Sequence, residues 1–311
     1  MSGEAVRWTD VGPRDGLQNL KAPTTAPTEA KVRLIRGLLD AGMPRVEATS
    51  FVSPRWVPQM ADAAEVLDAL GADLLPRLRV LVPNLRGLET ALERGVRNVV
   101  VTVGVTDSFN RRNVNRPVSE SLADIRRMVA AAADDGVVVD VAVSVCFGCP
   151  FEGEVAPDTV VALCDELDAR GVAEVCVADT IGVATPAAVA SLTQRLLARP
   201  YRDRVALHVH DTRGLGVANV VAAYTEGVRL FEGSVGGIGG CPFAPRSTGN
   251  VCSEDALQAL HSLGAPSGVD LDALCEVATR LGDDLGLTLP GKLHRAGVWH
   301  PEHIAAETVA R

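Results

Sequence analysis

The run NVVVTV (98–103), the segment SLADIRRMVAAAADDG (121–136) and the run VVVDVAVSV (137–145) follow one another in the chain, and their succession decides the fold. The two outer runs are β-branched and apolar at consecutive positions, as in strands buried on both faces. The middle segment places Leu122, Ile125, Met128, Val129 and Ala132 at three- and four-residue spacings and stops at Gly136, the pattern of an amphipathic helix with a glycine C-cap. Two strands joined through a helix run parallel, because a hairpin cannot connect parallel neighbours. Outward from this unit the same alternation recurs. Strands are expected at Trp8–Val11, Arg45–Ser50, Leu78–Val82, Asn98–Val103, Val137–Val145, Glu174–Ala178, Val205–His210 and Val228–Ser234, with helices such as TEAKVRLIRGLLDAG (28–42) between them. Eight β-then-α units in about 250 residues predict a closed (β/α)8 TIM barrel, with a doubly wound open sheet as the alternative. Beyond Asn250 the pattern predicts a closing helix from Glu254 to about Leu263. After about residue 265 it predicts an appended helical segment, from Asp270 to about Leu285. No Ser/Pro-rich linker interrupts the 311 residues, so residues 1–311 read as one domain.

Composition excludes several classes. With 47% hydrophobic and 22% charged residues the chain can bury a sizeable core and is not a disordered tail. The formal net charge of -9 gives no long-range attraction to nucleic acid or an anionic membrane, so an anionic ligand must be held by local groups. The start, MSGEAVRWTD, lacks a basic flank followed by an apolar block, and no run reaches the roughly 18 apolar residues of a membrane span. The seven cysteines are scattered and odd in number, which argues against a secreted disulfide framework and for a reducing, cytoplasmic setting.

In a barrel of this kind functional residues sit at the C-terminal ends of the strands. In ALHVHDT (206–212) His208 and His210 point to one face of their strand and Leu207 and Val209 to the other, so two imidazoles face one centre. That geometry suits two bonds to one cation, although an isolated pair is as often hydrogen-bonded core, and nearby oxygen donors must decide. DVGPRDGLQ (10–18) ends the first strand at a Gly-Pro turn and delivers Arg14 and Asp15 to the same rim, one a carbonyl-polarising group and the other an anionic ligand. Read alone, such an Arg-Asp pair is an exposed ion pair. Glu47 lies in an otherwise apolar strand, where an unpaired carboxylate is costly; it reads as a partner for Arg14 or a proton carrier. Asp179 ends the sixth strand in the same manner, with helix capping as the plainer role. The glycine-rich SVGGIGGCPFAPRSTGN (234–250) carries Cys241, a thiol able to exchange a proton at a metal site, and Asn250, either an oxygen donor or a helix N-cap. Cys146 and Cys149 have no second CxxC or CxxH pair and read as structural.

Seven segments, VGPRDGLQN (11–19), VEATSFVSPRWVPQMAD (46–62), VPNLRG (82–87), CFGCPFEG (146–153), DTIGVATP (179–186), HVHDTRGLGVAN (208–219) and GGIGGCPFAPRSTGN (236–250), together resemble the motifs of 3-hydroxy-3-methylglutaryl-CoA (HMG-CoA) lyases in the same order. These are metal-dependent TIM-barrel lyases, and the resemblance covers nearly the whole chain. It implies a divalent cation held by Asp15, His208, His210 and Asn250, a set of nitrogen and oxygen donors suited to Mg2+ or Mn2+. It also implies Cys241 as catalytic acid, Arg14 as the carbonyl-polarising group, and Glu47 and Asp179 as acidic residues of the site. The implied reaction is retro-Claisen cleavage of an acyl-CoA to acetyl-CoA and a keto acid, acetoacetate for the usual substrate, by a homodimer. Gln18 and Lys21 on the first loop, with Arg111, Arg112 and Arg116 in the basic stretch FNRRNVNR after the fourth strand, are the expected CoA contacts.

The sequence departs from the family at Arg246, where a small residue is common, and at VCSEDA (251–256), where a plainer apolar run is expected. A cation beside the Cys241 loop bears on the acyl group accepted, and relatives act on citramalyl-CoA or longer branched analogues. A condensing enzyme, joining acetyl-CoA to a 2-oxo acid, is disfavoured by the GGCPF loop. A non-catalytic paralogue is disfavoured because every expected ligand is present.

Overall fold

The structure, a computed structural model, describes residues 4–20, 25–133, 135–240 and 249–300. Eight strands, β1 (Arg7–Asp10), β2 (Arg45–Ser50), β3 (Leu78–Leu81), β4 (Asn98–Gly104), β5 (Val138–Ser144), β6 (Val175–Asp179), β7 (Val205–Val209) and β8 (Leu230–Gly233), close in sequence order into a barrel. Every neighbouring pair is parallel, and β1 closes on β8 through Arg7↔Leu230 to Asp10↔Gly233. Each expected strand is present within two residues, and the open-sheet alternative is excluded by the β1–β8 pairing. The strands form because Val-rich runs bury both faces, outward against helices and inward against the barrel axis.

The connecting helices are α1 (Thr28–Asp40), α2 (Ala63–Leu70), α3 (Leu85–Glu93), α4 (Asp107–Val114), α5 (Val118–Ala133), α6 (Pro157–Asp168), α7 (Pro186–Leu197) and α8 (Gly216–Glu226). Beyond them lie α9 (Ser253–Ser262), α10 (Leu271–Leu285) and the short α11 (Leu293–Ala296). The closing helix and the appended segment therefore occur where the sequence places them. Helix α10 turns Leu271, Leu274, Cys275, Ala278 and Leu281 inward and packs on α1. No helix among the described residues is long and apolar enough to cross a membrane.

The barrel interior is not filled by apolar layers. Arg79, 1% exposed on β3, bonds Glu47 of β2 through Nε at 2.8 Å and Glu232 of β8 through Nη2, while its Nη1 lies 3.6 Å from Asp140 and 3.7 Å from Glu174. Arg45 adds bonds to Asp140 (3.0 Å), Glu174 (2.5 Å) and the Thr9 hydroxyl (2.8 Å). Each buried charge costs several kcal/mol to desolvate, and removing one partner from such a set costs about 3–5 kcal/mol because the remaining charge is stranded.

A second buried carboxylate ties the barrel to its closing helix. Asp10 Oδ1 accepts from the Gly12 amide (2.9 Å) and Oδ2 from Ser253 Oγ (2.6 Å), the hydroxyl that also receives Trp8 Nε1 (2.9 Å). Burial, reinforced by Glu254, pushes the Asp10 carboxyl up to about 7 against these hydrogen bonds. With the folded value above the unfolded one, the contribution of Asp10 to stability is full below the ordinary value of 3.8 and is lost as pH rises through about 7. Urea unfolding of the wild type and Asp10→Asn at pH 5 and pH 8 should therefore show the difference moving in favour of the variant with rising pH, by up to about 1.4 kcal/mol per pH unit. A pH-independent difference contradicts a raised Asp10.

Candidate active site

The first strand ends in one turn of π-helix, Gly12–Gly16, in which the Asp15 and Gly16 amides both donate to Val11 O (2.8 and 3.2 Å). Such wide turns are rare and gather at functional sites. Here the turn lifts Arg14 and Asp15 onto the rim. The Asp15 carboxylate accepts from Arg14 Nη1 (2.8 Å), Gln18 Nε2 (2.6 Å) and Asn250 Nδ2 (2.9 Å). Arg14 is held from its other side by Nε bonded to Glu47. The guanidinium is thus locked between two carboxylates.

Across the mouth, His208 lies on β7 and His210 just beyond it, where His210 forms an isolated bridge with Asn250. The two rings have centroids 5.2 Å apart. One ligand atom from each of Asp15, His208 and His210 falls within 4.8 Å of the others, the only such group among the described residues. Asn250 joins them. Its Nδ2 donates to Asp15 and to Ile238 O (3.2 Å), while its buried Oδ1 has no hydrogen-bond partner. A buried amide oxygen without a donor is costly, and beside two imidazoles and a carboxylate it completes a donor set for a hard or borderline cation. The residues present therefore fit a divalent ion.

Electrostatics agree with that reading. Burial opposes the charge on Asp15, yet Arg14 and the two histidines hold its carboxyl below the usual carboxylate range. Burial and the neighbouring His208 push His210 down to about 4, which leaves its ring neutral and a nitrogen lone pair available. Burial lowers His208, but the hydrogen bond and charge of Glu232, with the charge of Asp15, together raise it.

The remaining expected residues divide. Glu47 is fully buried and paired with two guanidiniums, those of Arg14 and Arg79, the contact expected of a partner for Arg14. Asp179 accepts from the Val183 (2.8 Å) and Ala184 (3.0 Å) amides and shapes the loop after β6, and it does not cap α7, whose N-cap is Thr185. Asn250 is not an N-cap, because α9 starts at Ser253 with Cys252 before it. Gln18 braces Asp15. Most of the basic stretch after β4 lies on helix α4. Arg111 on α4 pairs with Asp107, Arg112 stacks over the Phe151 ring at 4.0 Å, and Arg116 pairs with Asp124. Cys146 and Cys149 are buried. Lys21, Cys241 and Arg246 lie outside the described residues, but the ends of the segment carrying Cys241 border the site. Asn19 Nδ2 donates to Gly240 O (2.7 Å). At Gly239 (φ +140°) a Cβ would come within 2.7 Å of Asn250 Nδ2, and at Gly249 (φ +110°) one would come within 2.7 Å of Gly239 O, so the ends meet in a pinch that only glycine permits. The sequence reading missed Arg79 and Glu232, the charges behind Arg14 and His208. The signal that found Glu47, a charge in an apolar strand, is present at both.

A family profile described as HMGL-like matches residues 5–281, most of the chain, including every strand and the described cluster. The chain belongs to the HMGL-like family. Among HMGL-like relatives, the (R)-citramalyl-CoA lyase of Chloroflexus aurantiacus is 42% identical, the alignment covering 97% of this chain and 98% of that one. The HMG-CoA lyase of Bacillus subtilis superimposes with a TM-score of 0.90 at 38% identity, over 95% of this chain and 98% of that one. An HMG-CoA lyase from Acinetobacter baumannii in complex with coenzyme A and 3-methylmalate superimposes with a TM-score of 0.89 at 35% identity, over 96% and 97% of the two chains.

Asp15→Asn and His208→Ala are each expected to weaken Mn2+ binding by ~10-fold or more, read by titration calorimetry, with the circular dichroism spectrum unchanged. Wild-type affinity in both variants would remove the cluster as a cation site.

Proposed function

We propose that this HMGL-like protein is a divalent-cation-dependent carbon–carbon lyase that cleaves HMG-CoA to acetoacetate and acetyl-CoA. The observation that carries the reading is the Asp15–His208–His210 cluster with the unpartnered Asn250 oxygen, set beside a guanidinium locked in place. A second reading, cleavage of citramalyl-CoA to pyruvate and acetyl-CoA, is favoured by the near-complete alignment with the Chloroflexus lyase. The two substrates differ by one methylene between the carbinol carbon and the free carboxylate.

Both reactions have the same electron flow. The tertiary hydroxyl gives its proton to a base and its oxygen closes to the C=O of the keto acid, as the bond between the carbinol carbon and the CH2 beside the thioester breaks and its electron pair moves onto the thioester as an enolate. A divalent cation such as Mg2+ or Mn2+, held by Asp15, His208, His210 and Asn250, would supply a Lewis acid that lowers the pKa of the substrate's tertiary hydroxyl. Arg14, unable to swing away from Glu47 and Asp15, hydrogen-bonds the thioester oxygen as it gains charge, where a preoriented donor is worth most. Cys241, in the segment that joins Gly239 to Gly249, gives the enolate carbon its proton and so releases acetyl-CoA. Glu47 positions Arg14, and Asp179 holds the β6 loop in shape. Arg111 and Arg112, exposed on α4, with Lys21 on the first loop, are the contacts for the CoA phosphates.

The test is acetyl-CoA release from HMG-CoA and, in parallel, citramalyl-CoA, with Mg2+ or Mn2+ and after EDTA treatment. Cation-dependent turnover of HMG-CoA is expected; turnover of citramalyl-CoA alone keeps the chemistry and moves the substrate, and turnover of neither sinks the proposal. Cys241→Ser should keep Mn2+ affinity while losing turnover by on the order of 100-fold. Full activity in that variant removes the thiol as proton donor.

A further inference from the structure

The charges inside the barrel fall into two sets, those that pair only with one another and those that also reach the cation cluster. Glu232 belongs to the second. It lies on β8 in register with His208 on β7 and Thr9 on β1, and it is buried. One carboxylate oxygen is bonded to Arg79 Nη2, and the other lies 3.2 Å from His208 Nδ1. A carboxylate in an ion pair with a guanidinium accepts hydrogen bonds and donates none, so the proton on the His208 ring must sit on Nδ1. The lone pair is then on Nε2, the nitrogen left to meet Asp15 and His210. The same Arg79 donates from Nε to Glu47, and Glu47 holds Arg14. Both sides of the site, the imidazole on β7 and the guanidinium on the β1 turn, are thus braced through one side chain on β3.

We propose that Glu232, held in place by Arg79, is a positioning residue that fixes the tautomer and ring direction of His208, so that the guanidinium ordering Arg14 also presents Nε2 of His208 to the cation. This rests on the cation site proposed above. Carboxylate partners of ligand histidines are worth about 10–100-fold in metal affinity. A glutamine at 232 has the same size and can still accept from Arg79 with its oxygen. Its NH2 group then faces His208 Nδ1, which must accept, and the ring proton moves to Nε2, where it blocks coordination. An aspartate keeps the acceptor and with it the Nδ1–H tautomer.

The experiment uses the full-length wild type, Glu232→Gln, Glu232→Asp and Asp15→Asn. The imidazole 15N shifts of His208 are read in the metal-free proteins at alkaline pH, where the ring is neutral, and Mn2+ affinity is read by calorimetry. The expected result is Nδ1–H in the wild type and Glu232→Asp, Nε2–H in Glu232→Gln, and Mn2+ affinity weakened ~10–100-fold in Glu232→Gln with a smaller loss in Glu232→Asp. A merely structural role for Glu232 leaves the tautomer where it was. An Nε2–H tautomer in the metal-free wild type overturns the proposal without any variant, which covers the case that Glu232→Gln does not fold. Wild-type Mn2+ affinity and an unmoved tautomer in Glu232→Gln overturn it as well, with the cation site intact. If the wild type binds no Mn2+, or Asp15→Asn binds it equally well, the cation site itself is wrong and the inference falls with it.

Discussion

The guanidinium of Arg79 sits where the barrel has least room for error. Four carboxylates, those of Glu47 on β2, Asp140 on β5, Glu232 on β8 and Glu174 just before β6, converge on it from around the barrel. A barrel of eight parallel strands is ordinarily filled by interdigitating apolar side chains, which tolerate some repacking. Charges do not. Each must meet an opposite charge at hydrogen-bonding distance or pay for its lost hydration, so the strand register that aligns Glu47 with Arg79, and Thr9 with Glu232, is specified by electrostatics as well as by the pleat.

From that floor the site is built upward by short connections. Glu47 passes the orientation of Arg79 to Arg14, and Arg14 passes it to Asp15. The π-turn after β1 supplies the extra residue that brings Asp15 over the mouth, opposite the histidines of β7. The last member, Asn250, arrives after the glycine pinch, and its amide closes the ring on Asp15. A cation ligand set spread over the first, seventh and last turns of the barrel can be this regular only because the sheet beneath it is rigid.

Much of this was legible in the residues. The β/α alternation was visible because strands such as β4 and β5 are Val-rich runs, and each helix carries its apolar stripe at three- and four-residue spacing. His208 and His210 were visible because a period of two puts them on one face, and Glu47 because a carboxylate has no business in an apolar strand unless paired. What a linear reading does not supply is distance across the barrel. Arg79 and Glu232 each show as a charge in an apolar strand, but that Arg79 reaches both Glu47 and Glu232, and Glu232 reaches His208, emerges only when the barrel closes. The basic stretch after β4 mostly forms α4, which ends where Asn115 takes the left-handed region (φ 56°).

The charged floor also gives the molecule a distinctive response to heat. The hydration that buried ions forgo becomes less favourable as temperature rises, while the gain from burying each unit of apolar surface levels off. An interior anchored by Arg45, Arg79 and their carboxylates therefore loses ground on cooling and gains it on warming, relative to the same barrel filled with leucine and valine. The part of the fold that aims the site is the part that heat penalises least.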